Sequence, residues 1–495
     1  MDRREAERIY ALGKEAVIEA LLGMDARLKA LEQQVASLRQ NSTNSSKPPS
    51  SDGPRVMRAK KEGSSRPAGG QKGHKGSRRA LLPVEQMDHV QDLYPKVCER
   101  CGASLPVTGH SSPVLRHQVF DLPELEPVKT EYRLHETLCS CGHRSRASLP
   151  PAVASTQFGP RVHAAIAYLS SVHRSTRRGM VEIMNTLFGL DLSLGSVCNA
   201  LERVSPELEP VSEDIRESLK ESLVLNIDET GWKSKGERRY LWAFVSPLAV
   251  FFSVAASRGS KVLKAILGER FHGVIGSDDH SAYRRYHKEG RRQLCWAHLI
   301  RKLKGLQESR SSPDASRFAG NCLRETGKLF GCWHAFRQGA ISREELSGAT
   351  HLIRARLKHA CLTYRSSSDG AVRTRAERML ANWPHLFTFL THEGVEPTNN
   401  AAERALRPAV QWRKISFGNQ SVQGEHLTGR ILTVTRTCRL QGRNAFHFLA
   451  QVMEAAFAGT ARPSLVQQIS PRWTVTSSIS NLNFATITIL KYVPV

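Results

Sequence analysis

The chain has 495 residues, enough for several domains, and 40% of them are apolar, enough for a substantial core. Lys and Arg number 71 against 46 Asp and Glu, a formal surplus of +25 with an isoelectric point near 10.0. A surplus of that size argues for a polyanionic partner, and the absence of a long uncharged apolar segment argues against a membrane span.

The ten cysteines carry the same message. Cys98/Cys101 and Cys139/Cys141 form two close pairs, and the other six are scattered. That is a reduced, cytosolic pattern with one metal site rather than a disulfide framework. No signal peptide is expected at Asp2-Arg3-Arg4-Glu5. The expected location is cytoplasmic. Tyr240 to Ser257 is the most membrane-like stretch, but Ser246-Pro247 interrupts it, so it reads as two strands around a turn.

In chain order, 1–40 reads as a coiled-coil helix. Val17, Leu21, Met24, Leu28, Leu31, Val35 and Leu38 repeat at spacings of four and three. Self-association and packing on its own domain fit this seam equally well. Residues 41–82 form a basic flexible linker. Asn41 to Pro54 cannot bury a core, and Lys72, Lys75, Arg78 and Arg79 sit in a Gly-rich tract suited to a phosphate backbone.

Residues 83–150 read as a small zinc-binding module. Cys98, Cys101, Cys139 and Cys141 supply four sulfurs for a structural Zn2+, with Gly102 and Gly142 easing the turns. The second knuckle is one residue tighter than usual, so His143 competes for a ligand position. Four protein ligands leave no open position, so this zinc would be structural. Residues 151–222 read as helical and DNA-binding if Arg174, Arg177 and Arg178 touch phosphate; plain helical packing is the simpler reading. Ser193 is a good N-cap for a helix at Leu194.

The core begins at Leu223. Leu-Val-Leu-Asn-Ile-Asp is an apolar run ending in Asp228, the pattern of a strand buried on both faces with an acid at its tip. Arg239–Ser246 and Val250–Ala256 read as strands, Ser260–Leu267 as a helix and Gly273–Asp278 as a strand. Three strands, a helix and a fourth strand, with acids ending the first and fourth, is a ribonuclease-H-like order. The fold class expected is therefore multidomain α+β. A ribonuclease-H-like α/β core at 223–301 and 396–460 is split by a helical insertion at 302–395. The tail 461–495 is unassigned.

An acid at the end of a buried strand is costly unless paired or holding a cation. Asp228, Asp278 and the helical Glu403 together would hold Mg2+ or Mn2+ for phosphoryl transfer, using two ions about 4 Å apart. Singly, each has a plainer reading: Asp228 paired to an arginine, Asp278 capping a turn, and Glu403 paired to Arg407 four residues on. Asp279 competes with Asp278. Cys295 and His298 stand at ligand spacing, but no second pair matches them, so they read as packing at a helix start.

Several blocks resemble the DDE transposases of the insertion sequence 66 family. They are Asp228-Glu229-Thr230-Gly231-Trp232, Ser277-Asp278 with Tyr283, Cys295-Trp296-Ala297-His298, Asn399-Asn400-Ala401-Ala402-Glu403-Arg404-Ala405-Leu406-Arg407-Pro408, and Arg413-Lys414 with Phe417-Gly418. The linker, the Gly-rich tract and the cysteine knuckles are similar to the family's N-terminal half. The likeness covers about residues 20 to 455. It departs at Asp278-Asp279-His280, where the family often has Asp-Gly-Tyr, and after about Gly459.

The resemblance implies metal-dependent strand cleavage and 3′-hydroxyl strand transfer that move the element. Asp228, Asp278 and Glu403 would be the catalytic triad and Mg2+ ligands. Arg404 and Arg407 are candidates for neutralising DNA phosphates. The implied partners are element ends, target DNA, further copies of the chain on DNA and small accessory proteins of the same element, with no membrane. The alternatives are a ribonuclease-H-like nuclease without strand transfer and a non-catalytic zinc-dependent DNA-binding protein.

Overall fold

The computed structural model describes residues 3–39, 41, 44, 79–105, 115–154, 156–288, 290–309 and 311–466. Lys72, Lys75 and Arg78, and all but the first six residues of the 461–495 tail, lie outside them. The chain divides into two compact units. One comprises Met1–Val56 with Lys129–Val495, and the other Met57–Val128.

The fold is mixed α+β, rich in helix, with one small sheet at its centre. A separate hairpin, β1 (Glu136–Leu138) and β2 (Arg144–Arg146), precedes it. The central sheet is built from β3 (Val224–Ser234), β4 (Glu237–Val245), β5 (Val250–Ala255), β6 (Val274–Ser277) and β7 (Arg292–Leu294), in the order β5-β4-β3-β6-β7. β3, β4 and β5 are antiparallel neighbours; β6 runs parallel to β3, and β7 parallel to β6.

Asp228 is not at a strand tip, as its sequence context suggests. β3 runs six residues further, because Lys235 and Gly236 both take positive φ (50° and 79°) and turn the chain directly into β4. Such a turn matches the twist of a hairpin. The acid is nonetheless at an edge of another kind. Pairing with β6 stops at Asn226↔Gly276, so Asp228 lies just beyond the end of β6, where Asp278 emerges. β7 has only three residues and carries too little pattern to be read from sequence.

The two faces of the sheet are covered differently. On one side Trp242, Phe244, Leu225 and Ile227 pack with Ile215, Leu219, Tyr283, Val434 and Leu449. On the other, Leu241, Ala243 and Val245 meet Ala402, Ala405, Leu406 and Ala409 of helix Asn400–Ser416. The buried alanines at helical spacing bring this helix close to the strands, and Glu403 rides in its first turn. Between β7 and that helix the chain is helical, including Trp296–Ser309, Pro313–Arg337, His351–Tyr364 and Gly370–Ala381. These close over a second core around Trp296, Phe318, Leu357 and Met379.

Ahead of the sheet, helices Pro160–Ser171, Arg177–Phe188 and Leu194–Glu207 share a small core of Ile166, Met180, Met184, Val197 and Leu201. The Ser193 side chain accepts from the Ser196 amide at 3.0 Å and caps the third helix. Near the N-terminus, Lys14–Arg39 is one helix on which Leu21, Met24, Leu28, Leu31 and Val35 are exposed. Among the described residues no helix is long and apolar enough to cross a membrane, and Tyr240–Ser257 forms the β4–β5 hairpin.

Candidate active site

Alternation along β3 separates two acids. Asp228 pairs across the sheet with Ala243 and points to the side of helix Asn400–Ser416, whereas Glu229 pairs with Trp242 and points into the opposite core. Asp278 follows the last residue of β6. These placements gather the three predicted acids into one electrostatic neighbourhood. Burial pushes the Asp228 carboxyl well above the usual carboxylate range, and the negative charges of Glu229, Asp278 and Glu403 push it the same way.

Glu403 departs from its plainer reading, whereas Asp278 keeps its own as the cap of the turn at His280. Glu403 does not pair with Arg407; its Oε1 lies 3.2 Å from Arg301 Nη2 and 3.7 Å from His298 Nδ1. Arg404 and Arg407 are exposed on the outer face of the same helix. Asp278 accepts from the His280 amide at 2.9 Å and lies 3.8 Å from Arg258 Nη2. Asp279 lies 3.6 Å from Arg284 Nη1.

Sequence reasoning missed the support beneath the triad. Glu229 is buried and takes both the Arg258 guanidinium and the Tyr283 hydroxyl. Burial, and then the carboxylates of Glu229, Asp228 and Asp278, raise the Tyr283 phenol well above its ordinary value, so it stays protonated and donates. The Asn399 amide donates to the Ile227 carbonyl at 2.8 Å, and its backbone N–H to Cys295 Sγ at 3.1 Å. The signal available in sequence was adjacency alone: Glu229 follows Asp228, and Asn399 precedes the helix of Glu403.

Past this helix, the Phe417-Gly418 turn locks onto β3. A Cβ at Gly418 would sit 2.2 Å from the Lys233 carbonyl oxygen, and its φ is +102°. Asn419 exchanges backbone bonds with Lys233 and Lys235 and accepts from Trp232 Nε1 at 2.6 Å. Arg413 reaches the Gly231 carbonyl and lies 3.3 Å from Thr230 Oγ1.

Each cysteine pair lies in a unit of its own. In the Met57–Val128 unit the Cys98 amide donates to Ala103 O at 2.8 Å and Gly102 N to Cys98 O at 2.9 Å. In the other, the Cys139 amide donates to His143 O at 2.8 Å and Gly142 N to Cys139 O at 2.9 Å. Gly102 and Gly142 both have positive φ (71° and 83°). The backbone amides of Cys101 and Arg100 face the Cys98 sulfur and lower its pKa; those of Cys141, with its thiol, do so at Cys139. Both turns thus favour thiolates. Arg79, also in the Met57–Val128 unit, is exposed and sits 3.5 Å above the centre of the Phe120 ring.

Comparison with known proteins agrees with the family suggested by the motifs. A model described as Transposase IS66 family matches residues 155–426, more than half of the chain, and a family of unknown function (DUF6444) matches 4–80. Similar curated proteins come from Sinorhizobium fredii. The uncharacterized protein y4jD is 24% identical over 242 residues, 46% of each chain. The uncharacterized protein y4qI is 26% identical over 297 residues, 54% of this chain and 53% of that one. The uncharacterized protein y4hP is 24% identical over 399 residues, 72% and 70%. The chain spans about half the length of the first two. With more than half of its length matched, including the β3, β6 and Glu403 segments, the chain belongs to the Transposase IS66 family.

Proposed function

We propose that the chain is a DNA transposase whose Asp228, Asp278 and Glu403 hold divalent metal for strand cleavage and 3′-hydroxyl strand transfer. The observation that carries this reading is geometric: Asp228 faces the helix of Glu403 just beyond the end of β6, where Asp278 emerges, and burial first, then Glu229, Asp278 and Glu403, raise its carboxyl. Carboxylates crowded this way repel one another, and a divalent cation among them relieves the repulsion, so the donor set fits magnesium or manganese. The sheet order β5-β4-β3-β6-β7 supports a ribonuclease-H-like core, and the helices from 302 to 395 support an insertion within it.

The bound metal would supply an activated oxygen nucleophile and relieve charge on the leaving oxygen. The chain's own residues do the positioning. Arg301 orients the Glu403 carboxylate, Glu229 with Arg258 and Tyr283 braces the strand behind Asp228, and Asn399 fixes the two segments to each other. Arg404 and Arg407, exposed one and four residues beyond Glu403, would meet DNA phosphates, and Lys72, Lys75, Arg78 and Arg79 would add a second contact. The Cys98/Cys101 turn and the Cys139/Cys141 turn each offer a pair of sulfur donors suited to structural zinc. The exposed apolar seam on Lys14–Arg39 fits self-association on DNA.

The test is cleavage of DNA carrying the element's terminal inverted repeats, with Mg2+, by the full chain and by Glu403→Gln. The expected result is cutting by the wild type and a loss of at least about 100-fold in the variant. Equal cutting by both removes Glu403 from the chemistry. Joining of the freed 3′-hydroxyl to a second DNA separates a transposase from a nuclease that only cuts.

A further inference from the structure

Among the described residues, one further set of metal-ligating side chains converges beside the acids. Cys295 Sγ, a His298 ring nitrogen and a Glu403 carboxylate oxygen all lie within 4.8 Å of one another. From sequence, Cys295 and His298 lacked companions; the third donor comes from more than a hundred residues away.

Rigid parts hold each donor. Cys295 directly follows β7; its amide donates to Ser277 O at 2.9 Å, and its buried sulfur accepts the Asn399 N–H. His298 stands in the first turn of Trp296–Ser309. Its Nδ1 is buried, has no hydrogen-bond partner and lies 3.7 Å from Glu403 Oε1. A buried ring nitrogen left without a partner carries a desolvation cost, and a bound cation would remove it. Cys295 and His298 also line a cavity of about 40 Å³, room for at least one water as a fourth ligand, whose wall carries Asp279 together with Lys302, Arg375 and Arg378.

The donor types choose the ion. Magnesium takes oxygen ligands and avoids sulfur; one thiolate, one imidazole and one carboxylate suit a borderline-soft cation, zinc first among them. The backbone N–H donated to the sulfur is the kind of outer contact that steadies a metal-bound thiolate.

We propose that Cys295, His298 and Glu403 form a zinc-type site, separate from the cysteine knuckles, which competes with the magnesium centre for Glu403. On binding, the Cys295 thiol releases its proton to solvent as the sulfur–metal bond forms. The competition rests on the magnesium reading above; the zinc site itself does not.

Zinc bound per chain is measured after dialysis for the full-length wild type, Cys295→Ser, His298→Gln and the knuckle variant Cys98→Ser/Cys139→Ser. Cobalt replaces zinc to reveal sulfur ligation by its charge-transfer absorption. In Cys295→Ser and His298→Gln, zinc affinity at one site falls by at least about tenfold. In the knuckle variant a cobalt–sulfur band remains, and it vanishes when Cys295→Ser is added. Added zinc releases bound Mn2+, seen as a rise of the free-ion electron paramagnetic signal. Unchanged zinc binding in both Cys295→Ser and His298→Gln, each folded by circular dichroism, overturns the site. Zinc uptake at Cys295 with no release of manganese overturns the competition. A chain that passes these binding tests yet cuts no DNA refutes the transposase reading and leaves the zinc site standing.

Discussion

The side-chain amide of Asn399 donates to the main-chain carbonyl of Ile227 at 2.8 Å, joining positions 172 residues apart. Ile227 immediately precedes Asp228, and Asn399 stands four residues ahead of Glu403. One hydrogen bond therefore sets the spacing between a strand acid and a helix acid. Asn399 is 1% exposed, so water cannot replace the bond. Asn399→Ala leaves the Ile227 carbonyl unpaired and is expected to lower stability by about 1–3 kcal/mol, read by urea denaturation. In a cleavage assay the loss is expected mainly in kcat, because the variant misplaces the acids and leaves the residues proposed to contact DNA alone.

Glu229 is expected to be structural, although it adjoins Asp228. Arg258→Ala would leave its buried charge unpaired and cost about 3–5 kcal/mol. Tyr283→Phe removes one donor and costs about 1–3 kcal/mol. Both partners serve one carboxylate, so the double variant is less stable than either single one but by less than their sum. Thermal melting of the four proteins measures this.

Asp228→Asn trades stability against chemistry. In the absence of metal it removes a charge that burial and three neighbouring carboxylates oppose, so the melting temperature rises by a few degrees, on the order of 1 kcal/mol. Adding Mg2+ stabilises the wild type and narrows or reverses the difference. DNA cleavage by the variant is lost. A melting temperature unchanged by Mg2+ in the wild type would count against metal binding here.

His385 makes stability depend on pH. Burial, then the charge of Arg292, lower its pKa to about 4 in the folded chain, against about 6.5 unfolded. A histidine depressed by folding contributes fully above the unfolded value. As pH falls below about 6.5 the unfolded chain takes up the proton first, and the contribution drains away down to about 4. His287, lowered by burial as well, acts in the same direction. His385 is only half-buried, so solvent screening cuts the effect and the expected loss is on the order of 1 kcal/mol. His385→Gln should flatten the stability curve across that window in denaturation at stepped pH.

Much of the local structure was legible because it is written in short-range patterns. The apolar run at Leu223, the Ser193 cap, the helix 260–267 and the helical setting of Glu403 follow from periodicity and capping alone. β7 escaped because three residues show no period. The length of β3 escaped because Lys235-Gly236 lacks the Asn-Gly or Asp-Gly pair that usually announces such a hairpin turn.

The sequence by itself determined which residues carry charge, where strands and helices begin, and the acids and thiols on hand for metal. Only the tertiary structure decided that Glu229 faces away from Asp228 into a brace of arginine and tyrosine, and that Arg301 rather than Arg407 attends Glu403. It alone brought Cys295 and His298 to the same glutamate. The physical reason is range: propensity and alternation act over a few residues, whereas ligand sets and buried ion pairs depend on which distant surfaces pack together.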